Sequence, residues 1–343
     1  MSESLPTAIV IRLSAFGDVL LTAGFIHHLS RSHRVLFITG PAYQHIAAHL
    51  PGVDEVLCLH KNDSASQREQ LLKHLNQSHP AVVYDLQNKL RTFFFRRKIQ
   101  AQRYVTLSKR TWQQGLMALL GSDTVLDNEH QSSRYLNILN DDGASTPLLP
   151  DLRDLPPAWQ EQANQTLKQF APAAGKPTVG LAFGATHPTK GWPIAHLTGL
   201  IEMMQGEVNW ILIGGPNDLG RLEKIKAVLG GATPIDTCHN SIEELTGIVS
   251  QLSCLIGVDT GPMHLARLCN VPTVTLFGPT SIKRWGPGPF SSPQHRVASL
   301  NLPCQPCSNH GDTLCPLEHH ACMKDLQPER VAEEARAILG ASL

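Results

Sequence analysis

The 343-residue chain has no apolar run approaching the roughly 20 residues needed to cross a bilayer, so no membrane-spanning helix is expected. Its amino terminus lacks the basic segment, apolar core and small-residue cleavage site of a secretory leader, and a cytoplasmic location is expected. Nor is there excess charge: 29 Lys and Arg stand against 29 Asp and Glu, which excludes the global positive field of a nucleic-acid binder. Charged residues make up only 17% of the chain and hydrophobic residues 42%, a balance that excludes a disordered or fibrous protein. In a reducing compartment the eight cysteines are expected as thiols or metal ligands and not as a disulfide scaffold. No Gly-x-Gly-x-x-Gly follows the first strand at Ser14 to Asp18, which argues against a dinucleotide site.

What is present is alternation of strand and helix. Thr7 to Leu13 reads as a first strand opening into Ser14-Ala15-Phe16-Gly17-Asp18, after which Val19, Leu20, Ala23, Ile26 and Leu29 carry helical spacing. Further strands are expected at Val35 to Thr39, Glu55 to Leu59, Ala81 to Asp85 and Arg103 to Leu107. Asp141 to Pro157 lacks a period and reads as a crossing. A second series follows at Thr178 to Phe183, Asn209 to Ile213, Cys254 to Val258 and Pro272 to Phe277. The length suits two domains, and the pattern implies two α/β, Rossmann-like halves in tandem, facing across a cleft. The expected boundaries are 1–155, 156–326 and a C-terminal helix over 327–343.

The second half centres on Cys254 to Val258 followed by Asp259-Thr260-Gly261-Pro262-Met263-His264, a strand that turns directly into a helix. Such turns bind anions through the first helical N–H groups and the helix dipole, with Gly261 allowing close approach and His264 one turn in. The competing reading is a helix capped by Asp259 or Thr260 with a packed histidine. Gly257 to Ala266, with Pro272 to Thr280, resembles the donor-domain signature of the family 9 glycosyltransferases, the bacterial ADP-heptose:lipopolysaccharide heptosyltransferases and their relatives. Arg12-Leu13-Ser14-Ala15-Phe16-Gly17-Asp18-Val19-Leu20-Leu21-Thr22 resembles the same family's N-terminal hallmark, and the pattern between the two motifs covers nearly the whole chain. The resemblance independently implies the two-domain GT-B arrangement, an N-terminal acceptor domain, a C-terminal donor domain, and a last helix that packs back on the first domain. It also implies an inverting transfer of heptose from ADP-heptose to the lipopolysaccharide inner core.

Sugar transfer from a nucleoside diphosphate needs a base for the attacking hydroxyl and compensation for the departing charge. There is no Asp-x-Asp to hold a divalent cation, so protein groups are expected to serve and no catalytic cofactor is anticipated. By resemblance, Thr186 and Lys190 contact the diphosphate and Asp18 is the base; Asp18 as a helix cap and Lys190 as a surface lysine are the alternatives. Asp218 resembles the family's loop near the nucleoside, and Asn240 matches a stretch lining the adenine pocket, although Ser241 to Glu244 also has the form of a capping box. Tyr84 to Arg91 resembles an acceptor segment in which Asn88 and Lys89 replace the family's Gly and Asn, leaving Asn88, Lys89 and Arg91 as acceptor residues. Arg91, Arg96, Arg97, Lys98, Arg103, Lys109 and Arg110 form either a solvated face or a surface for an anionic glycolipid, with peripheral contact at the inner membrane.

Cys304, Cys307, Cys315 and Cys322 have the makings of a four-thiolate zinc site, and iron is the alternative suggested by protein-modifying relatives; unligated thiols are the simpler reading. The site is expected to lie away from Asp18 and Lys190 and to be structural. Transfer of another sugar, a protein acceptor, and a nucleotide-sugar binding protein or epimerase remain as alternatives. A binding-only homologue is expected to lose Asp18 or Lys190, and both are present.

Overall fold

The computed structural model describes residues 5–108, 129–139, 152, 154–169, 173, 175–230, 234–288 and 292–340. The chain divides into two compact units, one of Met1–Arg110 with Gln131–Leu152 and one of Thr111–His130 with Arg153–Leu343. Most of the segment read as a crossing, and Lys109 and Arg110 of the basic cluster, lie outside the described residues.

The first unit holds five parallel strands: β1 (Thr7–Ile11), β2 (Arg34–Thr39), β3 (Glu55–Cys58), β4 (Val82–Asp85) and β5 (Arg103–Thr106), in the order β3-β2-β1-β4-β5. β1 and β4 are buried along their whole length, as their unbroken apolar runs require when helices cover both faces. Ile9 lies level with Leu36 and Val83, and these side chains join Phe95 and Ile99 in one core. Chain order reverses between β1 and β4, so the loops after these two strands, Arg12–Ala15 and Leu86–Lys89, flank a topological switch point.

The second unit repeats the plan with six parallel strands: β6 (Thr178–Ala182), β7 (Asn209–Ile213), β8 (Ile235–Asp236), β9 (Cys254–Val258), β10 (Thr273–Leu276) and β11 (His295–Ala298). Their order is β11-β10-β9-β6-β7-β8. Its switch point falls between β9 and β6, which places Asp259 to Gly261 beside the loop that carries Lys190. Gly257 on β9 permits close pairing there, because a Cβ would stand 2.6 Å from that of Ala182.

Two strands escape the sequence reading, and both are edges. β8 is two residues long, and β11 carries His295 and Arg296. Short or charged strands are how edges avoid pairing with other chains, and such strands carry little apolar signal. The C-terminal helix also differs from expectation. Pro328–Gly340 buries Val331, Ala332, Ala335 and Ile338 in the second unit's own core, with Val274 and Leu276. It is held by Arg296 to Glu334 at 2.8 Å and, through the preceding turn, by Trp192 Nε1 donating to Leu326 at 2.8 Å. Its apolar stripe is satisfied there, which corrects the assignment of this helix to the first domain.

Candidate functional site

In the first unit Asp18 is the third residue of the short helix Phe16–Leu20. Arg12 Nη2 lies 2.6 Å from Asp18 Oδ2, while Nη1 donates to the Leu86 carbonyl at 2.7 Å, so one guanidinium ties the carboxylate to the end of β4. The capping bond from the Ala15 N–H to Oδ2 is long, at 3.4 Å. Among the described residues both contacts fall on Oδ2, and ion pairing with Arg12 outweighs the capping role. Gln87 completes the support, since its Oε1 accepts from the N–H groups of Leu13 and Ser14 at 3.0 and 3.2 Å.

The residues expected to meet the acceptor stand near the same strand ends, but two of them are engaged internally. Asn88, at φ 44°, donates through Nδ2 to the Leu107 carbonyl at 2.7 Å. Arg91 donates to the Leu59 carbonyl at 2.7 Å. The Lys89 side chain is exposed, and its N–H is received by Thr92 at 3.0 Å.

In the second unit Asp259 is 5% exposed and does not cap its helix. Its Oδ2 accepts from Lys190 Nζ and from Thr280 Oγ1, each at 3.0 Å. Burial alone would push this carboxyl up, but the Lys190 ammonium, aided by the Thr280 hydrogen bond, holds it below its usual value. Thr260 turns its hydroxyl to the Val258 carbonyl at 3.0 Å, and Gly261 opens the helix Gly261–Leu268. No side chain caps that helix, so the Gly261 N–H keeps its capacity for an anion, whereas Pro262 has no N–H and that of Met263 donates to the Thr260 carbonyl at 3.1 Å.

His264 is buried, and its pKa is pushed down to about 3 by burial and then by Arg267. The ring is therefore neutral. Arg267 Nη1 lies 3.4 Å from Nδ1, and since a guanidinium can only donate, the proton belongs on Nε2, which faces Asp259 Oδ1 at 3.9 Å. Arg267 itself is anchored by the Trp285 and Gly286 carbonyls and by Thr275. His130, whose Nε2 is 3.0 Å from the Gly286 carbonyl, is likewise pushed down to about 4 by burial.

These two histidines give a pH dependence with a definite sign. Both folded values lie below the ordinary 6.5, so their contribution to stability is present above pH 6.5 and is lost as pH falls toward 4. At pH 5 the loss amounts to about 2 kcal/mol per histidine. Thermal unfolding is expected to show a lower midpoint at pH 5 than at pH 7, and a variant carrying His130→Gln and His264→Gln should flatten that slope. Equal slopes in the two proteins would clear the histidines of this role.

The chain matches the family model for glycosyltransferase family 9 (heptosyltransferase) over residues 68–317. It belongs to glycosyltransferase family 9. Lipopolysaccharide heptosyltransferase 2 of Escherichia coli K12 is 24% identical over an alignment of 359 positions, gaps included, that covers 96% of this chain and 98% of that protein. Two lipooligosaccharide heptosyltransferase 2 proteins of Campylobacter jejuni are 35% identical over 116 residues and 28% identical over 215 residues. These matches span 32% and 65% of the relatives' own lengths. Among solved structures, E. coli ADP-heptose lps heptosyltransferase II aligns with a TM-score of 0.76 at 20% identity, covering 98% of this chain and 99% of that one. The fold of this family 9 member is thus the GT-B type, two Rossmann-like units in one chain, each built on a parallel sheet.

The remaining nominated residues of the family 9 chain are spread around the same end of the second sheet. Thr186 is exposed in the loop after β6, four residues before Lys190. Asp218 Oδ2 accepts from the Gly215 N–H at 2.9 Å and presses against Gly184, where a Cβ would meet the carboxylate at 2.3 Å. Asn240 is half-buried and its N–H bonds the Thr237 carbonyl at 3.1 Å. Ser241 caps the helix Ile242–Val249 through the Glu244 N–H at 3.1 Å, but Glu244 turns its carboxylate to Thr166 instead of closing the box.

The cysteine assignment fares differently in its two parts. Burial, followed by the neighbouring sulfurs of Cys304 and Cys315, pushes the Cys307 thiol up to about 11. Burial and then Cys307, Cys304 and Cys315 push Cys322 up to about 12. Cys307 and Cys322 thus lie within electrostatic reach of the other sulfurs, yet among the described residues no three of His, Cys, Asp or Glu are set to hold a metal ion. The expected remoteness from Lys190 is corrected. Asp312 and His320 of this loop bond Thr189, and Gly311 lies so close that a Cβ would stand 2.8 Å from the Lys190 side chain. Arg12, Gln87, Thr189, Arg267 and Thr280 are the supporting residues to which the sequence reading gave no role. Arg267 was the most accessible of them, lying three positions after His264 on one helix face.

Proposed function

We propose that this family 9 chain transfers a heptose from ADP-heptose to the inner core of lipopolysaccharide, inverting the anomeric carbon and using no divalent cation. The observation that carries this reading is the buried set Lys190, Asp259 and Thr280 at the donor unit's switch point, a protein cation where a departing diphosphate needs one. Asp18 takes the proton of the acceptor hydroxyl as the bond to the anomeric carbon forms, and Arg12 holds the carboxylate in place. Lys190 turns from Asp259 to the diphosphate and offsets its charge. His264, neutral and donating from Nε2, offers a hydrogen bond to the sugar. An E. coli heptosyltransferase solved with ADP shares the fold, with a TM-score of 0.67 at 17% identity, which supports adenine as the base.

An acceptor at a membrane suits the surface of the first unit. The helix Leu90–Arg96 exposes Leu90 (77%) and Phe94 (64%) side by side, with Lys89, Arg91, Arg97 and Lys98 exposed around them. Apolar side chains ringed by cations fit an anionic bilayer surface. Among the described residues no helix is long and apolar enough to cross a membrane.

The direct test is ADP release from ADP-heptose in the presence of heptose-deficient lipopolysaccharide, with UDP- and GDP-sugars as controls and with EDTA throughout. Turnover with the ADP sugar and EDTA is expected. A strict Mg²⁺ or Mn²⁺ requirement, or preference for another nucleotide, would overturn the corresponding part of the reading.

A further inference from the structure

We infer that the cysteine-bearing loop 304–320 positions Lys190, and that Thr189 and His320 are the positioning residues through which it acts. The inference rests on the reading of Lys190 as the cation for the leaving group. Thr189 is joined to Asp312 by three hydrogen bonds: its N–H and its hydroxyl donate to the Asp312 carbonyl at 3.2 and 2.9 Å, and the Asp312 N–H donates to the hydroxyl oxygen at 2.7 Å. The hydroxyl meets the carbonyl through its proton and the N–H through a lone pair, so both of its capacities hold the backbone next to Lys190. His320 Nε2 donates to the Thr189 carbonyl at 2.6 Å, which fixes the following peptide, the one that joins Thr189 to Lys190.

The loop is in turn anchored to the far side of the charged set. The N–H groups of Cys307 and Ser308 both donate to the Pro279 carbonyl at 3.0 Å, and Gln305 Nε2 donates to the Gly278 carbonyl at 2.6 Å. Thr280, which bonds Asp259, is the next residue. One loop therefore spans the turn carrying the cation and the turn carrying a second donor to its carboxylate, and the Lys190–Asp259 distance depends on it. A cavity of about 360 Å³ lined by Pro188, Thr189, Cys315 and His320 lies beside the clasp. On that side packing does not hold the turn, and hydrogen bonds must.

The experiment is a double-mutant cycle on kcat/KM for the nucleotide sugar, with thermal unfolding as a control. Thr189→Val keeps the side-chain volume and removes the hydroxyl, while Thr189→Ser keeps the hydroxyl. Thr189→Val is expected to lower kcat/KM by roughly ten- to a hundredfold, as misplacement of a catalytic group does, and Thr189→Ser to restore most of it. On a Lys190→Met background Thr189→Val should cost little more, because the group it positions is already gone. Losses that multiply in the double variant would overturn the positioning role while leaving Lys190 in place. Unchanged kcat/KM in Lys190→Met would overturn the reading of Lys190 and the clasp with it. If Thr189→Val does not fold, the half-exposed His320 serves in the same cycle. His320→Leu should lose and His320→Gln, whose amide can reach the same carbonyl, should keep the effect; equal activity in these two would also overturn the proposal.

Discussion

Asp18→Asn is expected to lower kcat by roughly 100-fold or more, with nucleotide affinity almost unchanged. The separation follows from where the residue sits. Asp18 belongs to the first unit and Lys190, Asp259 and Thr280 to the second, so a change at Asp18 removes a proton acceptor without touching the groups assigned to the donor. Asparagine still offers an oxygen to Arg12, whose guanidinium also keeps its bond to the Leu86 carbonyl. The loop after β1 should hold its shape, and the loss should register in turnover and not in the unfolding midpoint. Arg12→Ala makes the contrast, because it frees the carboxylate from its anchor while leaving the base itself. Steady-state kinetics with ADP-heptose, and ADP titration of the same proteins, distinguish the two. Near-normal kcat in Asp18→Asn would remove the residue from the mechanism.

The fold was legible where burial is complete. β1, β4, β9 and β10 lie inside parallel sheets, every residue in them is buried and most are apolar, and the strands stand close to the positions read from sequence. Glycine-, serine- and aspartate-bearing turns at their carboxyl ends marked the two switch points for the same reason, because a chain leaving a buried strand must change composition abruptly. The supports of the site were hidden because they are long-range. Asp312 and His320 lie 123 and 131 positions from Thr189, and no local period links them. Arg12 and Leu13 each lie 74 positions from their partners, Leu86 and Gln87, yet meet them at adjacent strand ends because β1 pairs with β4. The C-terminal helix shows the same limit: its amphipathic period told that it packs, and only the three-dimensional core told against what.

Lys190→Met should produce the second large effect, and on two observables at once. The Lys190 and Asp259 side chains are 11% and 6% exposed, so removing the ammonium strands a buried carboxylate with Thr280 as its remaining close donor among the described residues. Breaking one side of a buried pair costs about 3 kcal/mol or more, and the unfolding midpoint should fall accordingly. Donor affinity and kcat should fall as well, since a charge-assisted contact to the diphosphate is lost where negative charge develops. Adding Asp259→Asn separates the two consequences. With neither charge present the desolvation penalty disappears and stability should largely return, while transfer stays slow because no cation faces the leaving group. Calorimetry of unfolding and titration with ADP on the single and double variants would check this. Recovery of transfer together with stability in the double variant would mean that the pair serves the fold alone and that another group carries the charge of the departing diphosphate.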